Sequence, residues 1–180
     1  MFVFGHLGIG SKIVSPWSKG LPRPWLLLGT LVPDLIDKPL YYALVIITGK
    51  HAAELGLISG TRTVGHTALL LIAVALFAFF RKSRVAAALA LGMATHLLLD
   101  SAGDHLSSLR EAHPNAATKI AIFFPLCGFR FPISPYSSAG AHLGSLAQPY
   151  ILVCEVIGIL ILCWDHWKRV HGLHWREQSE

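Results

Sequence analysis

The sequence has little charge. Of its 180 residues, 14% are Asp, Glu, Lys or Arg, whereas 53% are hydrophobic. A soluble domain usually carries about a quarter charged residues, so this chain has too few to cover a water-facing surface. The high apolar content excludes intrinsic disorder, which requires low hydrophobicity and high net charge. Three scattered cysteines exclude a secreted module built on disulfides. The composition therefore predicts a small integral membrane protein with one domain, residues 1–180.

The net charge of +5 comes from 15 Lys and Arg against 10 Asp and Glu. In a soluble protein this excess can indicate a nucleic-acid partner. Here the basic residues form short clusters beside apolar runs, which is typical of the cytoplasmic loops of membrane proteins. Membrane lipid is therefore the expected partner, and no nucleic acid is expected.

Four apolar segments predict the architecture: residues 25–48, 64–80, 85–100 and 149–164. Crossing a bilayer takes about 20 apolar residues, so the last three are short. We expect an all-α integral membrane helical bundle with about four membrane-embedded helices and interfacial segments. Residues 1–24 contain too many Gly and Pro residues to span and are expected to be interfacial. Residues 101–148 are rich in Gly, Pro and Ser, which indicates loops.

Basic residues give an orientation. The second and third apolar segments are joined by a loop with three positive charges, 81–84, and the last apolar segment is followed by the basic stretch 165–169. By the positive-inside rule both lie in the cytoplasm. The sequence therefore predicts a multi-pass protein of the cell inner (plasma) membrane with a cytoplasmic C-terminal tail, residues 165–180.

Ten histidines are many for this length, and two of them are placed by the predicted helical hairpin. His66 precedes the basic loop by about as many residues as His96 and Asp100 follow it, so at about 1.5 Å per residue the three reach a similar depth. His96 and Asp100 are four residues apart and share one helix face. The set suits a divalent transition metal that keeps an open position for water.

Two further acids lie in an apolar segment. Asp34 and Asp37 follow Pro33, and their spacing puts both on one face of a helical turn. Carboxylates inside a membrane are rare and usually line a site or pair internally. Each group also has a simpler interpretation: a lone histidine can be a hydrogen-bonded core residue, Asp37 can pair with Lys38 or Lys50, and Asp100 can face water.

Four motifs in order resemble a known family, the membrane-bound metal-dependent hydrolases (YdjM-type inner-membrane hydrolases). They are Gly-His at 5–6, Leu-Val-Pro-Asp-Leu-Ile-Asp-Lys-Pro at 31–39, Arg-Thr-Val-Gly-His-Thr at 62–67 and Gly-Met-Ala-Thr-His-Leu-Leu-Leu-Asp at 92–100. The segment 129–133 is similar to a strand-like block of that family. The family is distantly similar to zinc-dependent phospholipase C and P1-type nucleases.

The resemblance implies five metal ligands: His6, Asp34, His66, His96 and Asp100. It also implies a divalent metal, zinc by preference, and the two departures described next reduce the expected number from three ions to one or two. The chain departs from the family at Thr61, where members often carry a histidine, and after His142, where no acid follows. His105 is a further candidate ligand, with a solvated loop position as its alternative.

The function expected from these features is metal-dependent hydrolysis of a phosphoric ester, with a lipid-linked phosphate as substrate and a metal-activated water as nucleophile. Asp34 and Asp37 are the candidate catalytic acceptors or bases, and Arg62 and Arg130 are the candidate phosphate-binding cations. For each arginine the alternative is a surface or headgroup-facing position. Two other functions stay open: an ion or proton relay in a transport subunit, where a homo-oligomer would supply the remaining helices, and a non-catalytic adaptor that keeps a structural metal.

Overall fold

The computed structural model describes residues 2–108, 121–136 and 138–177, and every regular element in these ranges is helical. The predicted all-α class is confirmed, and segment 129–133 forms no sheet with any described residue. The α-helices are α1 (Val3–Gly5), α2 (Ser11–Ile13), α3 (Arg23–Gly29), α4 (Val32–Thr48), α5 (Ala68–Arg81), α6 (Arg84–Ser108), α7 (Ala139–Gly144) and α8 (Pro149–Glu177). A π-helical turn, His6–Gly10, joins α1 to α2, and 3₁₀ turns cover Ala52–Leu55, Val64–His66 and Ser145–Ala147.

The expected number of membrane helices, about four, is wrong for the described residues. Two helical segments are long and apolar enough to cross a membrane, Arg84–Leu106 and Pro149–His171. The other two apolar segments are shortened by local structure. Thr67 is extended, and its side chain accepts a hydrogen bond from the amide of Leu70, so α5 begins only at Ala68. At 14 residues α5 is about 21 Å long.

The apolar segment 25–48 divides into α3 and α4 at Thr30 and Leu31. Pro33 does not cause a break, because it stands in the first turn of α4, where its missing amide hydrogen is not needed. Pro39 lies inside α4, which runs on to Thr48 and ends at Gly49 in the left-handed conformation. The division matters for the site, because it brings the Thr30 carbonyl against α6.

The N-terminal helical turns pack against α6 and α8. Their contact with α8 is close: a Cβ atom on Gly158 would lie 2.0 Å from the Phe4 carbonyl oxygen. Beside it, the buried Glu155 carboxylate accepts hydrogen bonds from the amides of Phe2, Phe4 and Gly5 at 2.8–3.0 Å. These amides have no partner within the first turn of a helix. Glu155 therefore anchors the turn that carries His6.

The helices α3 and α6 cross at glycines. A Cβ atom on Gly92 would lie 2.4 Å from the Leu26 carbonyl oxygen and 2.7 Å from the Thr30 amide nitrogen. Only glycine allows two backbones to approach this closely. The crossing holds the end of α3 against the face of α6 that carries His96.

Replacing Gly92 with alanine is expected to lower the free energy of unfolding by about 1–3 kcal/mol, because the new methyl group has to push α3 away from α6. Thermal unfolding in detergent, followed by circular dichroism, measures the change. Gly144→Ala is the control, since no described atom lies within 4 Å of its added Cβ. Equal melting temperatures for Gly92→Ala and the wild type would contradict the close crossing.

The basic segments meet at one end of the bundle. Arg84, at the start of α6, hydrogen-bonds to the carbonyl oxygen of Gly20. Arg23 forms an ion pair with Asp165 of α8 at 2.8 Å, and Lys12 lies 4.0 Å from the same carboxylate. The start of α6 and the region of α8 around Asp165 therefore lie near the same N-terminal segment.

Candidate metal centre

Five buried or nearly buried side chains meet between α4, α6 and the N-terminal turn. His6 lies on the π-helical turn, Asp34 in the first turn of α4, His66 in a 3₁₀ turn before α5, and His96 and Asp100 on α6. They form two overlapping sets of possible ligands, His6–His96–Asp100 and Asp34–His66–His96, with ligand atoms within 4.8 Å of one another in each set. The structure thus brings together all five residues that the resemblance implies as ligands.

Asp37 holds His66 in place. Its carboxylate accepts a hydrogen bond from His66 Nδ1 at 2.7 Å and further bonds from the amides of Thr63, Gly65 and His66. The Thr63 hydroxyl donates a fifth bond at 2.8 Å. Because the proton of His66 is held on Nδ1 by its hydrogen bond to the carboxylate, the Nε2 lone pair points away from Asp37 and is available to a cation. This is the usual arrangement of carboxylate, histidine and metal.

His96 is oriented by the backbone. Its Nδ1 atom lies 2.7 Å from the Thr30 carbonyl oxygen. A carbonyl only accepts hydrogen bonds, so Nδ1 of His96 carries the proton and Nε2 carries the lone pair. The break between α3 and α4 is what exposes this carbonyl to α6.

The two Nε2 atoms of His66 and His96 face each other at 3.2 Å. With both Nδ1 atoms acting as donors, two lone pairs meet here, and a proton or a metal cation has to lie between them. Ligands 2.0–2.1 Å from a tetrahedral zinc ion are about 3.4 Å apart. The distances from these nitrogens to oxygen atoms of Asp34 and Asp100 are 3.5–3.9 Å. The donor set therefore fits a metal ion.

His6 completes the cluster. Its ring is fully buried and stacks on His96 with centroids 3.9 Å apart. Its Nε2 atom lies 3.3 Å from an Asp100 oxygen, yet neither ring nitrogen has a well-formed hydrogen bond to any described residue. Burying an imidazole with poorly satisfied nitrogens costs free energy, so a cation that binds His6 and Asp100 together would be favoured here.

Two cations balance the acids. Lys38 Nζ lies 2.5 Å from Asp34, one helical turn away. Arg62 bridges two carboxylates on α6, with 3.3 Å to Asp100 and 2.7 Å to Asp104. Burial alone would lower the pKa of Arg62, but Asp100 and Asp104 outweigh it and hold that pKa above its ordinary value.

The electrostatics at His66 favour positive charge. Burial by itself would lower the pKa of this imidazole, but Asp100 and Asp37 outweigh burial, and the pKa lies above its ordinary value. A proton is the simplest cation that the cluster can attract. The same carboxylates that favour it also favour a divalent ion.

A cavity of about 330 Å³ opens beside the cluster. Asp34 and Asp100 form part of its wall, so the cavity reaches the ligand set. The charged lining residues also include Lys38, Arg62 and Asp104. The remaining wall mixes apolar and aromatic side chains, among them Phe2, Ile133 and Tyr136, with the polar side chains of Thr61, Ser134, His142, Ser145 and Gln148. A ligand with a polar group and an apolar part would fit such a cavity.

The other predicted residues are members of neither ligand set. Asp37 is fully buried behind His66, and its pairing partners are in the 63–66 turn, while Lys38 pairs with Asp34 instead. Arg62 lines the cavity, whereas Arg130 is exposed and is not among its lining residues. His105 is exposed on α6 and belongs to neither ligand set.

The structure gives two cavity residues contacts that the sequence does not predict. Lys38 is expected only as a possible partner of Asp37, although its four-residue spacing from Asp34 on a helix is a signal for the ion pair that forms. His142 lines the cavity and hydrogen-bonds to Tyr42 at 2.8 Å. No local pattern indicates this contact, because the two residues are 100 positions apart.

Comparison with protein-family models, with curated proteins and with solved structures finds no match to this chain. The function is therefore inferred from the site itself and from the motifs in the sequence.

Proposed function

We propose that this chain is a membrane-embedded, metal-dependent hydrolase acting on a phosphoric ester, with a lipid-linked phosphate as substrate. The observation that carries the proposal is the opening of the metal-ligand set into a cavity that also contains Lys38 and Arg62. The motifs resembling membrane-bound metal-dependent hydrolases support the same function. Zinc is the preferred metal because imidazole and carboxylate are its common ligands.

The charge of the cavity supports an anionic substrate. Three carboxylates and two cations line it, Asp34, Asp100, Asp104, Lys38 and Arg62, which gives a net charge of −1. One bound divalent ion adds two positive charges and leaves the wall at +1. The loaded cavity would therefore attract a phosphate group, and the empty one would attract the metal.

The residues have separate roles in this proposal. His6, His66, His96, Asp34 and Asp100 hold the metal. Asp37 and the Thr30 carbonyl orient two of the imidazoles, and Lys38 and Arg62 balance the carboxylates and face the phosphate. Of the two candidate catalytic acceptors, Asp34 lies in the cavity wall, whereas Asp37 is buried behind His66 and does not line the cavity.

The metal, when bound, supplies a Lewis acid that polarises the phosphate and acidifies a water molecule.

Large apolar side chains on α5 and α8 are exposed, among them Leu69, Phe79, Phe80, Leu152 and Leu160. Apolar surfaces of this extent are typical of contact with lipid. We propose that the end of the bundle with the basic segments 81–84 and 165–169 faces the cytoplasm. His96 then lies about 18 Å further along α6, toward the opposite face of the membrane.

Metal analysis of the purified protein tests the proposal first. We expect one or two zinc or other divalent ions per chain by mass spectrometry, and hydrolysis of a phosphoric ester in lipid–detergent micelles that a chelator abolishes and added metal restores. His166→Ala is the matched control, because this exposed histidine of α8 is in neither ligand set.

The outcomes separate the alternatives. Metal-free protein with ion or proton flux in vesicles would contradict the proposal and favour a transport subunit. Bound metal without hydrolysis of any phosphoric ester would favour an adaptor with a structural metal. Chelator-sensitive hydrolysis that His166→Ala retains would support the enzyme.

A further inference from the structure

His142 lies in the wall of the cavity and is in neither ligand set. Its ring stacks almost parallel on Tyr136, with centroids 4.5 Å apart and an angle of 7°. Its Nδ1 atom lies 2.8 Å from the hydroxyl oxygen of Tyr42 on α4. One aromatic ring and one hydrogen bond thus set the orientation of this imidazole.

The contact with Tyr42 also selects a tautomer. A phenol is a better hydrogen-bond donor than a neutral imidazole, so the preferred arrangement has the Tyr42 hydroxyl donating to Nδ1. The proton of a neutral imidazole then resides on Nε2. Nε2 is then the donor nitrogen of a residue that lines the cavity.

The imidazole stays neutral over the physiological range. Burial first, and then the charge of Lys38, lower the pKa of His142 to about 4. A neutral donor suits this position, because Lys38 and Arg62 already supply positive charge in the same cavity.

We propose that His142 is a substrate-binding residue whose Nε2–H donates a hydrogen bond to a phosphoryl oxygen in the cavity, with Tyr42 holding it in that tautomer. The inference rests on the proposed function, since it takes a phosphoryl group as the ligand. That group can belong to a lipid headgroup or to a free phosphate, and the experiment has an arm for each.

Binding is measured on the metal-loaded protein by isothermal titration calorimetry, with inorganic phosphate in one arm and phosphatidic acid in mixed micelles in the other. His142→Phe removes the donor but keeps an aromatic ring for Tyr136, and we expect at least about tenfold weaker binding, the effect of losing a hydrogen bond to a charged group. His142→Gln keeps an N–H donor near Nε2 and should restore most of the affinity. Tyr42→Phe should cause a smaller loss, and His166→Phe none.

The proposal is supported if His142→Phe binds inorganic phosphate or phosphatidic acid more weakly than the wild type does. The probe whose binding weakens identifies the source of the phosphate. Equal affinities for His142→Phe and the wild type would overturn it. So would equal losses in His142→Phe and His142→Gln, which would assign the effect to packing. If the wild type binds neither probe, the inference fails, while hydrolysis of another ester would still uphold the proposed function. If the wild type binds phosphate but hydrolyses no ester, the proposed function alone fails.

Discussion

Replacing His96 with alanine is expected to remove most of the bound metal and to lower hydrolysis by at least about a hundredfold. Mutating the residues that merely orient metal ligands typically costs 10–100-fold in affinity or activity, and His96 is itself a member of both ligand sets. Its loss also leaves the ring of His6 without its stacking partner. Metal content by mass spectrometry and turnover of a phosphoric ester measure the two effects.

The control for this variant is Thr95→Ala. Thr95 is the preceding residue of α6 and is also buried, but its hydroxyl bonds to the Gly92 carbonyl of its own helix. Thr95→Ala should retain metal and activity, whereas His96→Ala should lose both at an unchanged elution volume in size exclusion. Full metal content in His96→Ala would contradict the site.

Replacing Asp37 with alanine is expected to lower the free energy of unfolding by about 3 kcal/mol or more, even without metal. Its carboxylate accepts five hydrogen bonds from the turn 63–66, three of them from backbone amides. Each buried donor left without an acceptor costs about 1–3 kcal/mol. Thermal unfolding of the chelator-treated protein in detergent measures this loss.

Asp34→Asn provides the contrast, since it lies one turn earlier on the same helix. Asp34 contributes a possible ligand atom and faces the cavity, so its variant should lose metal affinity while the metal-free protein keeps nearly the wild-type melting temperature. Asp37→Ala should lose both stability and metal affinity, because His66 is no longer oriented. Equal melting temperatures for metal-free Asp37→Ala and the wild type would show that the 63–66 turn does not depend on this carboxylate.

The local geometry of a helix made part of the site predictable. Because a hairpin sets depth by residue count, His66, His96 and Asp100 could be expected to meet, and the distances of 3.2–3.8 Å between their ligand atoms agree. The i, i+3 spacing likewise put Asp34 and Asp37 on one side of α4. It could not assign their roles, because which acid meets the cavity depends on where the turn 63–66 packs.

The helix count was less predictable than the ligands. An apolar run shows that a segment is buried in lipid or protein, but it does not show where a helix begins. Thr67 starts α5 late, and the break at Thr30 and Leu31 divides another run. The same break supplies the carbonyl that orients His96.

The sequence by itself determined the all-α class and brought together three of the five candidate ligands, His66, His96 and Asp100, because composition and helical spacing are properties of neighbouring residues. Only the tertiary structure decided how these groups are used. The anchoring of the His6 turn by Glu155, the pairing of Lys38 with Asp34 and the placing of His142 against Tyr42 follow from packing between helices. The contacts of Glu155 with Gly5 and of His142 with Tyr42 join residues that are 100 or more positions apart in the sequence. No local pattern encodes such contacts, because they exist only after close helix crossings such as that at Gly92 have formed.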